Sequence, residues 1–103
     1  MKDFGLLKLK AGEKLRTMNY TTKRENNKVY VLTLVTSNKI EDIKEDSNVT
    51  VTLIQDKNTV DAVANIVDDR DEVKAIFDQM IEEDNSHFKT LNDQIVMIEL
   101  MIK

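Results

Sequence analysis

Val35-Thr36-Ser37-Asn38-Lys39 brings two hydroxyls, an amide and an ammonium together at the point where an apolar run ends and a helical pattern begins. A helix starting there leaves the N–H groups of its first turn without intrahelical acceptors. With the Thr36 and Ser37 hydroxyls and the Lys39 ammonium, these would form a site for phosphate. A second reading of the same residues stays open: Ser37 or Asn38 only caps the helix, and Lys39 is solvated.

The other chemically able side chains are less promising. His87 is the single histidine, follows Asp84-Asn85-Ser86, and the chain has no cysteine. A metal needs three or four converging ligands, so His87 reads as a solvated loop residue and no metal is expected. Asp68, Asp69, Asp71 and Glu72 coincide with a helix start, where negative charge is favoured, and read as structural. Phe77 and Met80 fall on an apolar helical face and read as core.

The elements that must position these residues follow from periodicity. Leu6 to Lys10 and Leu15 to Tyr20, separated by Ala11-Gly12-Glu13, read as a hairpin. Val29 to Val35 is apolar on both alternations, so both faces of that strand should be covered. Asn38 to Asp46 reads as a short helix with a capping box formed by Asn38 and Glu41. Val49 to Ile54 and Val60 to Val67 are two further strands joined by a polar turn, Gln55 to Asn58. A helix runs from Asp69 to about Glu83, with Val73, Ile76, Phe77, Met80 and Ile81 on its core face. Gln94 to Ile102, apolar on both alternations except at Glu99, is the sixth strand. Two short helices cannot supply the crossovers of a parallel sheet. The expected fold is therefore α+β, a mostly antiparallel six-stranded barrel over one domain, residues 1–103.

Composition narrows the function. At 103 residues, with 41% apolar and 33% charged residues, the chain has the make-up of one globular core. A net charge of -4 without a basic tract argues against a nucleic-acid partner. The absence of a leader-like or bilayer-length apolar run predicts no membrane partner and a cytoplasmic location. The doubly apolar strands predict that an outer face meets a helix or a second subunit, hence a homodimer.

The order of these elements, from about Phe4 to Ile102, resembles the pyridoxamine 5'-phosphate oxidase-like split-barrel family, in particular its general stress protein branch. The resemblance implies a split barrel, a homodimer and flavin mononucleotide (FMN) in a groove between subunits. It implies that Thr36, Ser37 and Lys39 bind the flavin phosphate, while Arg16, Thr17 and Met18 lie on the strand beside the ring. The family's turn runs from Thr through a few residues to Ser-Arg-Lys. Here it reads as a shortened Thr36-Ser37-Asn38-Lys39, one basic side chain short, and the amino-terminal helix of many members is not seen. The function implied is FMN binding with weak oxidoreductase activity on a small molecule; no catalytic acid–base pair is singled out. The alternative is a cofactor-free dimer serving as a structural or interaction module. A haem or deazaflavin ranks last.

Overall fold

The computed structural model describes residues 3–23, 28–55 and 57–103. Met1 and Lys2, part of the polar stretch after Thr22, and Asp56 of the Gln55 to Asn58 turn lie outside the described residues. The order is β1 (Phe4–Ala11), β2 (Lys14–Thr22), β3 (Lys28–Leu34), α1 (Asn38–Glu45), β4 (Asn48–Leu53), β5 (Asn58–Val67), α2 (Arg70–Glu82) and β6 (Ile95–Ile102). The six strands close into a barrel in the order β1-β2-β3-β6-β5-β4, every pair antiparallel.

The hairpin forms because Gly12, at φ +63°, takes the left-handed conformation that its tight turn needs, which sets Ala11 opposite Lys14. Leu7, Leu9 and Tyr20 then point into the barrel with Val29, Val31, Val51, Ile98 and Leu100. Each such burial contributes roughly 1.5–3 kcal/mol. The opposite alternation of β3 and β6 has its own cover. Tyr30, Leu32, Ile95 and Met97 pack against Val73, Ile76, Phe77 and Met80 of α2. Of the two covers the sequence allowed for these faces, this one is the helix. Glu99, on the same alternation of β6, is accommodated by Lys28 at 3.3 Å.

Two details differ from the sequence reading. Ile81 is 42% exposed, because it falls at the edge of the apolar stripe rather than under it. At α1 the cap residue is Ser37, with no side-chain capping bond, and Asn38 is the first helical residue, so the Asn38–Glu41 capping box does not form. Ile40 and Ile43 instead hold α1 on the barrel core. The cap of α2 follows expectation, Asp69 accepting from the N–H groups of Asp71 and Glu72 at 3.0 and 3.1 Å.

One seam of the barrel is incomplete. Among the described residues, β2 and β3 pair only at Thr21 opposite Tyr30 and Thr22 opposite Val29. Continued, that register would place Asn19 against Leu32 and Met18 against Thr33, but the strands part there.

Candidate functional site

The parted seam is a cavity of about 250 Å³. One wall is Arg16, Thr17, Met18 and Asn19 of β2; the other is Leu32, Thr33 and Leu34 of β3. Ser37 and Lys39 close one end from α1, and Met80 with Ser86, His87 and Phe88 close the other from α2 and the segment after it.

The α1 end is cationic and rich in hydroxyls. Lys39 Nζ donates to Thr33 Oγ1 at 2.9 Å, and Thr33 Oγ1 in turn donates to Ser37 Oγ at 3.2 Å. This chain explains the missing cap: the Ser37 hydroxyl is turned to Thr33 rather than to the first turn of α1. Burial lowers the Lys39 pKa below the ordinary lysine value, and the nearby positive charge of Arg16 lowers it further. Arg16 donates through Nη2 to Asp42 Oδ2 at 3.2 Å, while its Nη1 is buried with no partner.

The α2 end is set by a helix stop. Asp84 adopts φ +51°, its N–H bonds to the Ile81 carbonyl at 3.0 Å, and the Asn85 N–H bonds to the Met80 carbonyl at 2.9 Å. That Schellman arrangement turns Asn85 into the parted seam. Its Nδ2 donates to the Tyr20 carbonyl at 2.8 Å, and its Oδ1 accepts from Asn19 Nδ2 at 3.0 Å. A side chain thus serves β2 just where β3 leaves it. Gln79 strengthens the same junction, donating to Thr21 Oγ1 at 2.7 Å and to the Thr22 carbonyl at 2.9 Å. Beyond Asn85, His87 meets Phe88 edge to face, with ring centroids 5.2 Å apart.

The cavity therefore gathers Arg16, Thr17, Met18, Ser37 and Lys39. Thr36 is exposed and lies outside the lining. Thr33 takes its place at the hydroxyl end because it shares the alternation of Val31 and points inward, whereas Thr36 lies in the turn beyond β3. Three residues, Leu34, Val35 and Thr36, separate Thr33 from Ser37-Asn38-Lys39. His87 is exposed, as expected of a loop residue, and also lines the cavity mouth. Asn19, Thr33 and Asn85 were not singled out from sequence; the available signal was that Thr33 is the one threonine of β3, set between Leu32 and Leu34. Among the described residues no group of three or more His, Cys, Asp or Glu could hold a metal, and no helix is long and apolar enough to cross a membrane.

No family model and no curated protein matches the chain. Solved structures do. A Listeria innocua protein provisionally assigned as a pyridoxamine 5'-phosphate oxidase superposes with a TM-score of 0.73 at 15% identity, over 99% of this chain and 85% of that one. The fold is the pyridoxamine 5'-phosphate oxidase-like split barrel. General stress protein 26 of Bacillus anthracis shares the split barrel at a TM-score of 0.65 and 21% identity, over 99% of this chain and 81% of that one. A protein named F420 reductase shares it at 0.63 and 14%, over 97% and 86%.

Proposed function

We propose that this chain is a cytoplasmic flavoprotein that binds FMN in the β2–β3 cavity as a homodimer and acts as a weak oxidoreductase on a small molecule. The observation that carries this reading is one cavity that joins a cationic, hydroxyl-lined end to an apolar, aromatic-walled slit. FMN has matching halves, a phosphate and a planar ring.

The donor set fits the phosphate. Lys39 and Arg16 supply charge, the Ser37 hydroxyl adds a neutral donor, and the buried Nη1 of Arg16 lacks an acceptor, which phosphate oxygens would supply. With Thr33 as its first member, the turn has the length of the family pattern. Leu32, Met80 and Phe88 keep water from the slit, and Thr17 and Met18 lie on the β2 edge along it. Bound flavin would supply the electron-transfer chemistry, and the chain's residues would anchor and orient it. Ligand pockets usually span about 300–1,000 Å³, so a cavity of about 250 Å³ in one chain suits a site that a second subunit completes.

The test is a visible spectrum of purified protein after FMN addition and gel filtration. Retained absorbance near roughly 450 nm supports the reading, and a colourless protein refutes it. Lys39→Ala should weaken FMN by about 1.5–3 kcal/mol, the worth of a charge-assisted bond, or roughly 10- to 150-fold in Kd. Unchanged affinity removes Lys39 from the site. One observation favours the second reading, a cofactor-free dimer acting as an interaction module: Asn38 stands where the family's turn commonly carries a second basic residue.

A further inference from the structure

Arg16 is not fully committed to its partner. Its contact with Asp42 is a single one of 3.2 Å, between side chains 19% and 30% exposed. Guanidinium–carboxylate bonds usually run about 2.7–2.9 Å and often come in pairs. Here Nη2 alone makes the contact, and Nη1 of the same fork is buried without an acceptor. Lys39 lies three residues before Asp42 on α1, so the helix presents an ammonium and a carboxylate on one side. Lys39 feels the charge of Arg16, and its ammonium is already turned toward Thr33. Asp42 is the carboxylate in contact with Arg16.

We propose that Asp42 is an internal competitor for the anion end of the cavity: its carboxylate holds the Arg16 fork that an entering phosphate must take over. This rests on the flavin reading for the identity of the cavity's anionic ligand. An anion that engages Arg16 has to loosen the Nη2–Oδ2 contact or accept a carboxylate beside it. Either way, affinity is set below what Arg16 and Lys39 would give without Asp42. The opposite role, a clamp that orients the fork for the anion, would call for the short two-bond geometry that is absent here. The Asp42 main chain is not at issue, since its carbonyl accepts from the Asp46 N–H at 3.0 Å whatever the side chain.

The experiment is calorimetric titration of the full chain with inorganic phosphate, FMN and riboflavin, for wild type, Asp42→Asn and Asp42→Ala. Both variants should bind phosphate and FMN about two- to five-fold more tightly than wild type, the range of an exposed ion pair relieved, with riboflavin unchanged. In an Arg16→Gln background the Asp42→Asn gain should fall below about two-fold, because the contested fork is gone. Equal or weaker phosphate binding by variants that keep the wild-type far-UV spectrum would overturn the proposal. So would a gain undiminished in Arg16→Gln. If wild type binds phosphate but not FMN, the flavin reading fails and the phosphate series alone decides the role of Asp42. If neither ligand binds to any variant, both fall.

Discussion

Asn85→Ala tests whether the parted seam is held by a side chain. Asn85 is 7% exposed and replaces a strand partner at the point of divergence, donating to the Tyr20 carbonyl at 2.8 Å and accepting from Asn19 at 3.0 Å. Two net hydrogen bonds are worth about 1–3 kcal/mol, and a buried carbonyl that loses its donor adds to the cost, so about 2–3 kcal/mol of destabilisation is expected. For a domain near this size each kcal/mol shifts Tm by about 4–8 °C, giving a fall of roughly 8–24 °C. Urea denaturation followed by far-UV circular dichroism reads the free energy, with an unchanged slope showing that the unfolded state is the same. The Schellman stop uses only the Asn85 main chain, so the alanine variant retains it and the loss reports the side chain alone. A loss under about 0.5 kcal/mol, within the range of a surface substitution, would refute the argument.

Other outcomes follow from the same geometry. Thr33→Val removes the hydroxyl between Lys39 and Ser37 and should weaken FMN while sparing riboflavin; equal effects on the two flavins would place Thr33 outside the phosphate end. Because burial and Arg16 lower the Lys39 pKa, FMN affinity should fall as pH rises through that lowered value, before the ordinary lysine pKa of 10.5. Lys39→Arg should abolish that fall, read by fluorescence titration against pH. The stability sign is opposite: folding disfavours charged Lys39, so stability contributed by this group rises with pH from its folded pKa toward 10.5. Asp69→Ala should lose about 1 kcal/mol through the two N–H groups it caps, measured by urea denaturation. Sedimentation should show a species of twice 11.9 kDa, and a purely monomeric chain at micromolar concentration would sink the homodimer.

Much of this was legible from periodicity, because burying a strand or helix face imposes its own spacing on apolar residues. The double apolarity of Val29 to Val35 and Gln94 to Ile102 marked β3 and β6 as covered on both faces; the barrel interior and α2 cover most of their length, while Leu34, Val35 and Met101 at the ends are exposed. The stripe of α2 and its Asp69 cap were readable for the same local reasons, as was a helix beginning beside Ser37.

The seam was not legible. Whether two adjacent strands stay paired depends on what each packs against, and β3 is drawn under α2 while β2 turns back along β1. That divergence decides that Thr33 rather than Thr36 meets Ser37 and Lys39. It also decides that Asn85, 65 residues from Tyr20 in the chain, completes β2. Local spacing foretold the elements and the basic hydroxyl-rich turn, since those depend on neighbours within a few residues. The cavity, its Arg16–Asp42 contact and the side chain that props it open arose only when the barrel closed, because each joins residues whose separation carries no periodic signal.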